Sequence, residues 1–202
     1  MLQEAAEAAV RKGRFVREVR VVQIGADRIE EIRELWMALH ERHCAVANPK
    51  LGKPRSAEES WELRRARYLE WLAEPGSFLL VAEQSGQFVA YAMVREMGPI
   101  DTPTWYAPDR RYEIESLCVT PDLQGARMGK LLIDAIKTRA RQNGIYQLMG
   151  AVIGGNQDAV RFYEREGGFV SYITIQYRFE DEDPSEQVEV PIADETLREE
   201  VA

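Results

Sequence analysis

The chain is poor in cysteine, with only Cys44 and Cys118 among 202 residues. Two cysteines are too few for a disulfide framework, so they favour a reducing compartment, and we expect a cytoplasmic protein. Long apolar runs are also missing, since no stretch approaches the roughly 18 residues that a membrane-spanning helix requires. The first 20 residues carry charges throughout and contain no apolar signal-peptide core. The sequence therefore predicts a protein without a membrane partner.

Positive charge is scarce at one end of the chain. Residues 180–202 contain ten Asp or Glu and a single Arg, whereas the other 179 residues carry a net charge of +1. The formal charge of −8 is therefore a property of the tail. A chain of this charge is not expected to bind nucleic acid, although the tail says nothing about the charge of an active site.

Length and composition fit one globular domain. A chain of 202 residues can bury a sizeable core, and 45% hydrophobic with 30% charged residues excludes a disordered or collagen-like protein. We predict an N-terminal extension at 1–14, a domain at 15–180 and an acidic tail at 181–202. The tail could add an edge strand to the domain.

The hydrophobic pattern alternates between helical and extended segments. The predicted order is strand, two helices, three strands, helix, strand, helix and strand. The first helix is predicted from Ala26, a Ser-x-x-Glu capping box at Ser56 begins the second, and Gln84-Ser85-Gly86 joins two antiparallel strands. The strand–helix–strand from Tyr112 to Ile153 requires a right-handed crossover, so its strands are parallel. With a final strand at Phe169–Phe179, this order predicts a mixed α+β fold with helices on both faces of the sheet.

A glycine-containing loop connects a strand that ends at Val119 to an amphipathic helix that begins at Met128. A loop that leads into a helix N-terminus presents unpaired N–H groups and the positive end of the helix dipole, which suits phosphate. Gly125 and Gly129 would let a ligand approach the backbone closely. An ordinary strand–turn–helix connection has the same pattern. The Walker A motif and the dinucleotide-binding fingerprint are both absent from the sequence.

Residues 112–169 resemble the core of the GCN5-related N-acetyltransferases (GNAT). That family binds the pyrophosphate of acetyl-coenzyme A (acetyl-CoA) through a Gln/Arg-x-x-Gly-x-Gly/Ala loop, in which Gln124 and Gly129 match the first and last positions. Arg127 stands where the family usually has glycine, so its side chain must either splay away from the phosphates or contact them. The resemblance implies a cofactor-binding set drawn from the strand, the loop and the next two helices: Leu117, Cys118, Val119, Gln124, Gly125, Ala126, Arg127, Met128, Gly129, Lys130, Asn156, Ala159 and Tyr163.

A second motif of that family follows the next strand, which is predicted at 146–153. Asn156, Ala159 and Tyr163 match its Asn-x-x-Ala-x-x-x-Tyr pattern, and Gly168-Phe169 follows. Spacings of three and seven place the three side chains on one helix face. The resemblance implies that Asn156 contacts the cofactor and that Tyr163 is the general acid that returns a proton to its sulfur. It also implies the GNAT fold, a mostly antiparallel mixed sheet with a parallel fourth and fifth strand.

The implied reaction is transfer of an acetyl group from acetyl-CoA to a primary amine of a small molecule or of a protein, by direct attack in a ternary complex. The fourth strand would offer a backbone N–H to the thioester carbonyl. Glu113 and Glu115 share a side-chain parity, so either could take the proton of the amine, directly or through water. Glu115 lies nearer the expected thioester. Cys118 is expected to be a buried structural thiol, and no metal site is predicted.

Other interpretations remain open on the sequence alone. A relative of the same fold can bind CoA without catalysis, as a sensor or interaction module, and Arg127 is the residue that keeps this alternative open. The donor could also be a longer acyl-CoA. No motif identifies the acceptor amine. Because many members of the family form dimers, a homodimer is expected.

Overall fold

The computed structural model describes residues 19–100 and 102–177, and its strands form one sheet in the order β1-β2-β3-β4-β5. The strands are β1 Val19–Ile24, β2 Phe78–Gln84, β3 Gln87–Met97, β4 Arg111–Val119 and β5 Leu148–Gly150. Strands β1 to β4 are antiparallel to their neighbours, whereas β4 and β5 are parallel. This part of the chain has four α-helices, α1 Arg33–Val46, α2 Ala57–Leu72, α3 Met128–Gln142 and α4 Gln157–Arg165.

Helices pack on both faces of this sheet. On one face, α3 buries Leu132 and Ile136 against Phe78 and Tyr112, and we call this the α3 face. On the opposite face, which we call the α1–α2 face, helices α1 and α2 pack a set of aromatic side chains on the sheet: Trp36, Trp61, Tyr68 and Trp71. The predicted fold class is therefore confirmed, including the mostly antiparallel sheet and the parallel fourth and fifth strands. None of the helices in the described residues is long and apolar enough to cross a bilayer.

Two local sequence signals form the predicted structures. Ser56 caps α2 through a complete capping box, in which Glu59 N–H donates to the Ser56 hydroxyl and Ser56 N–H donates to the Glu59 carboxylate. Ser85 and Gly86 connect β2 to β3 with φ values of 54° and 80°. Two consecutive positive φ values are typical of the tight turn whose twist matches an antiparallel pair. These signals position α2 and the hairpin that carries the centre of the sheet.

Three predicted elements differ in the structure. Residues Ala26–Ile32 form a 3-10 helix, and α1 begins only at Arg33. Three residues per turn bring Ile29 and Ile32 to the same face, where both are buried. The predicted strand at 146–153 has only three paired residues, because β5 leaves β4 after Gly150.

The predicted final strand is the third difference. Residues 169–177 contain no strand, because none of the described strands pairs with them, and Phe179 lies outside the described residues. The predicted extension at 1–14 and the tail at 181–202 also lie outside them, so the domain boundaries stay predictions. The chain divides into two compact units after Phe169, and the candidate site lies entirely in the first.

Candidate functional site

β4 and β5 separate partway along their length. β5 pairs only with Tyr112–Ile114, and the last pair joins Ile114 to Gly150. The rest of β4 therefore borders a gap in which no described strand pairs with it. A bulge in β4 lies where the gap begins: Met93 pairs with Ser116 and Val94 with Ile114, so Glu115 is the extra residue. Because a bulge bends its strand, Glu115 marks the point where the sheet opens.

The backbone of β4 directs two N–H groups into this gap. Tyr112 N–H donates to Gln147 O on the β5 side at 2.9 Å, whereas Thr120 N–H donates to Val89 O of β3 at 2.8 Å. In an antiparallel ladder the backbone groups alternate between the two sides. The N–H groups of Leu117 and Val119 are therefore directed away from β3 and into the gap. A ligand lying along β4 would find two donors for its carbonyl oxygens.

The N-terminus of α3 has no side-chain cap among the described residues. By contrast, side-chain oxygens cap α2 and α4. The first hydrogen bond of α3 runs from Leu131 N–H to Arg127 O at 3.0 Å. The N–H groups of Met128, Gly129 and Lys130 therefore have no intrahelical acceptor, and the positive end of the helix dipole lies beside them. This arrangement suits an anion such as a diphosphate.

Two residues in the loop before α3 adopt left-handed backbone. Gly125 has a φ of 82°, and a Cβ atom added there would meet nothing within 4 Å. Arg127 has a φ of 66° and a ψ of 9°, a conformation that costs a residue with a Cβ atom about 1–2 kcal/mol. This cost explains why a glycine suits the position. Gln124, Ala126 and Arg127 are exposed, and no described carboxylate pairs with Arg127. The loop is thus open to a ligand.

The next two residues of the predicted phosphate site have contacts of their own. A Cβ atom on Gly129 would lie 3.0 Å from Cζ of Phe162 and 3.7 Å from Cγ2 of Val119. The missing side chain therefore lets α3 and α4 pack closely. Lys130 Nζ donates to Asp134 at 2.9 Å and to Glu166 at 3.3 Å. Its ammonium group is drawn along the helix, away from the N-terminal amides.

Helix α4 is positioned by its cap and by α1. Asn156 is buried, and its Oδ1 accepts hydrogen bonds from Ala159 N–H and from Arg42 Nη2, each at 3.4 Å. Arg42 also pairs with Asp158 at 2.7 Å. A Cβ atom on Gly155 would collide with the carbonyl oxygen of Val46, the last residue of α1. Asn156 therefore holds α4 against α1, and its side-chain oxygen is already used.

Tyr163 lies on α4 and packs on the α3 face together with Phe162, with 5.2 Å between the two ring centroids. Burial raises the pKa of Tyr163 to about 12. The hydroxyl group is therefore protonated at neutral pH, which is the state that a proton donor to a thiolate requires.

Glu115 is held by an arginine that the sequence analysis did not identify. Arg95 donates to Glu74 at 2.9 Å and to Glu115 at 3.1 Å, and its guanidinium lies 5.0 Å from the ring centroid of Trp71. Trp71 belongs to the α1–α2 face, whereas Tyr163 packs on the α3 face. Glu115 and Tyr163 therefore approach the sheet from opposite faces.

Glu113 is also ion-paired, with Arg111 Nη2 at 3.2 Å from its Oε2 atom. It stands opposite Arg95 in the β3–β4 register. The arrangement brings both predicted carboxylates to one side of β4, but it does not distinguish between them.

Cys118 is buried and its Sγ–H donates to the carbonyl oxygen of Leu35 at 3.2 Å. Burial raises its pKa to about 12, so the thiolate needed for nucleophilic attack does not form near neutral pH. The contact fixes the start of α1 on the end of β4. Among residues 19–100 and 102–177, no three His, Cys, Asp or Glu side chains are grouped as metal ligands would be.

A sequence signal for Arg95 did exist. Arg95 has the same parity in β3 as Tyr91 and Met93, which are both buried on the α1–α2 face. A charged residue at an inward position of an apolar strand requires a partner. Arg42 gave no comparable signal, because its contact with Asp158 depends on how two distant helices pack.

The comparisons with known proteins concern the family and the fold of the chain. The model of the acetyltransferase (GNAT) family matches residues 29–169, more than half of the chain. A mycothiol acetyltransferase of Sanguibacter keddieii is 32% identical over 155 residues, which are 77% of this chain and 46% of the relative. The chain thus spans about half the length of that relative. An uncharacterized N-acetyltransferase of Mycobacterium tuberculosis is 29% identical over 105 residues, which are 52% of this chain and 61% of that relative.

Solved structures share the fold at low sequence identity. A GCN5-related N-acetyltransferase from Ralstonia eutropha superposes with a TM-score of 0.63 at 17% identity, covering 80% of this chain and 99% of that protein. An aminoglycoside N-acetyltransferase solved in complex with CoA gives a TM-score of 0.58 at 16% identity, covering 80% of this chain and 95% of the other. On the extent of the family match, the chain belongs to the acetyltransferase (GNAT) family.

Proposed function

We propose that the protein is an N-acetyltransferase that moves an acetyl group from acetyl-CoA to a primary amine of a small molecule or of a protein. The observation that carries the proposal is the joint placement of two ligand-binding features. The segment at 120–127 joins the strand whose Leu117 and Val119 amides face the gap to the uncapped N-terminus of α3. A molecule with a diphosphate at one end and amide carbonyls along its arm fits both features.

The loop at 124–130 would bind the diphosphate through the amides of Met128, Gly129 and Lys130. Gly125 leaves open space for the ligand, and the exposed guanidinium of Arg127 would add a positive charge. The pantetheine arm would follow Leu117–Val119, with one of the two amides donating to the thioester carbonyl as negative charge develops on its oxygen. Acetyl-CoA acts here as a cosubstrate.

The chemistry then requires two proton transfers. An alkyl ammonium group has a pKa of about 10.4, so the amine must lose a proton before it attacks the carbonyl carbon. Glu115 would accept that proton, directly or through water, and Glu113 is the second candidate. When the carbon–sulfur bond breaks, Tyr163 would donate its proton to the departing thiolate. Because Glu115 and Tyr163 lie on opposite faces, the amine and the thiol would not compete for space.

The comparisons support transfer to nitrogen. Relatives and structural neighbours carry the names N-acetyltransferase and aminoglycoside N-acetyltransferase, and one neighbour was solved with CoA. None of these names identifies the acceptor of the present chain. A cytoplasmic location and a homodimer are further proposals, which cell fractionation and light scattering would test.

The test of the proposal is release of CoA thiol from acetyl-CoA with a panel of amines, together with calorimetric titration of acetyl-CoA. We expect turnover with a subset of amines. Replacing Tyr163 with Phe should lower kcat by about 100-fold or more, as for loss of a general acid, and leave the Kd for acetyl-CoA unchanged. Tyr146→Phe is the matched control, because Tyr146 is 83% exposed and lies outside the site.

Each result has one interpretation. Binding of acetyl-CoA without turnover across the whole panel would favour the non-catalytic sensor or interaction module. An unchanged kcat in Tyr163→Phe would remove the general-acid role from this tyrosine. No binding of acetyl-CoA at all would refute both the enzyme and the sensor.

A further inference from the structure

A cavity of about 180 Å³ is lined by residues of α1, of α2 and of the segment that joins them. Its lining consists of Trp36, Arg55, Ser60, Leu63 and Arg64. The polar groups that these residues offer are one indole N–H, two guanidinium groups and one hydroxyl. The indole and the guanidinium groups can only donate hydrogen bonds, and none of the lining residues is acidic. The cavity is therefore complementary to a hydrogen-bond acceptor with negative charge.

The indole N–H of Trp36 needs such an acceptor. Trp36 is only 4% exposed, and its buried Nε1 has no hydrogen-bond partner among the described residues. A buried donor without an acceptor loses its hydration and gains nothing in return, so such groups are rare in folded proteins. Because the Nε1 atom is closed to solvent, a ligand in the cavity would contact it only after the side chains around the indole move.

The positive charge of Arg64 is also uncompensated. Its guanidinium carbon lies 4.6 Å from the ring centroid of Trp36 and 5.5 Å from that of Trp71, over the aromatic surface of the α1–α2 face. No carboxylate of residues 19–100 or 102–177 lies within ion-pair distance of Arg64 or Arg55, although Glu59 interacts with Arg55 electrostatically over a longer distance. Arg95, by comparison, pairs with two glutamates. Two guanidinium groups without a close ion pair at one cavity favour an anion, and the planar fork of arginine suits a carboxylate.

The cavity lies near the gap beside β4. Leu35, the neighbour of Trp36 in α1, accepts the hydrogen bond from Cys118 of β4. Tyr68, whose ring lies 6.2 Å from that of Trp36, donates to Ser116 of β4. Both contacts are made on the α1–α2 face, which is also the face of Glu115. A small molecule bound in the cavity would therefore lie on the side from which an amine is proposed to enter.

We propose that this cavity is an anion-binding subsite that holds the carboxylate of the acceptor, so that the substrate class is a small amine that also carries a carboxylate. Arg64 and Arg55 bind the carboxylate oxygens beside the indole ring of Trp36. The inference rests on the proposed acetyl transfer for its acceptor role, whereas the anion site itself does not.

A binding experiment tests the site without any turnover. The full chain, labelled with ¹⁵N, has four tryptophans, and the indole signal of Trp36 is identified by its loss in Trp36→Phe. We expect propionate to shift that signal saturably, and Arg64→Gln to weaken the binding by tenfold or more. Arg55→Gln should weaken it less, because Arg55 is more exposed. Arg67→Gln is the matched control on α2, since Arg67 is exposed and does not line the cavity.

Two results would overturn the site. A Trp36 signal that propionate does not shift, or that shifts equally in wild type, Arg55→Gln and Arg64→Gln, would show that no carboxylate binds there. Tighter binding of inorganic phosphate than of propionate would overturn the assignment to a carboxylate. Arg55→Gln keeps the test valid if Arg64→Gln does not fold.

A kinetic experiment tests the acceptor role. Acetyl transfer is measured with β-alanine and 5-aminopentanoate, each beside its neutral amide. We expect a KM at least tenfold lower for one of the acids than for its amide, loss of that preference in Arg64→Gln and Trp36→Phe, and no loss of it in Arg67→Gln. Transfer without any preference for the acids would refute the inference alone. A shifted Trp36 signal without transfer to any amine would refute the proposed function and the acceptor role together.

Discussion

Replacing Arg127 with glycine separates two effects of this residue in the loop before α3. Its left-handed backbone, with a φ of 66°, costs a residue with a Cβ atom about 1–2 kcal/mol. Glycine removes that cost but gives the unfolded chain more freedom, which lowers stability by about 0.5–1 kcal/mol. We therefore expect the free energy of unfolding of Arg127→Gly to rise by up to about 1.5 kcal/mol. For a chain of this length each 1 kcal/mol raises the Tm by about 2–4 °C.

The same replacement removes an exposed positive charge beside the amides that are proposed to bind the diphosphate. A hydrogen bond to a charged group contributes about 1.5–3 kcal/mol, and each 1.4 kcal/mol is a factor of ten in affinity. Because Arg127 is exposed, screening by solvent places the effect at the lower end. We expect the Kd for acetyl-CoA to rise about tenfold, so that one substitution makes the protein more stable and its binding weaker.

Thermal unfolding and calorimetric titration of acetyl-CoA measure the two effects separately. Arg127→Asn is the control for charge, because asparagine tolerates left-handed backbone and has no charge. Arg141→Gln is the control for general electrostatics, since it removes a charge from the last turn of the same helix. An unchanged Kd in both Arg127 variants would mean that the side chain splays away from the phosphates. A lower Tm in Arg127→Gly would refute the argument from backbone strain.

Three further predictions concern packing, a buried thiol and the proposed base. Gly129→Val should lower the free energy of unfolding by about 1–3 kcal/mol, because its Cβ would lie 3.0 Å from Phe162. Urea unfolding should show that Phe162→Ala restores part of this loss. Additive effects of the two substitutions would contradict the contact. In the folded chain a thiol reagent should label Cys44 and spare Cys118. Burial raises the pKa of Cys118 to about 12, whereas the thiol of the unfolded chain ionises at about 8.5. The free energy of unfolding should therefore fall as the pH rises above about 8.5, and it should fall less in Cys118→Ala. Glu115→Gln should lower kcat by about 100-fold at neutral pH, and full activity there would transfer the base role to Glu113.

Helix α3 was the part of the fold that the sequence predicted best. The structure places it at Met128–Gln142, the bounds that its amphipathic pattern predicts. The capping box at Ser56 and the turn at Ser85-Gly86 were equally clear. Each of these features depends on residues close together in the sequence. Local signals of this kind therefore predicted the elements and their order.

Several contacts between side chains distant in the sequence were not predicted. Arg95 reaches Glu115 only because the β3–β4 register places the two strands with one extra residue between Ile114 and Ser116. The cavity at Trp36 and Arg64 forms only when α1 and α2 pack together. The predicted strand from Phe169 was wrong over the described residues, since an apolar alternation cannot specify which strand will pair with it.

Glu115 is an extra residue in β4 that has no partner in β3. On either side of Glu115, the pairs Met93–Ser116 and Val94–Ile114 are consecutive in β3. A chain without residue 115 would keep every other pair of the hairpin, so this deletion is neutral for strand alignment. It would straighten β4 and allow β5 to continue alongside it past Gly150. The same extra residue thus lies where the β4–β5 pairing ends and places a carboxylate beside the gap.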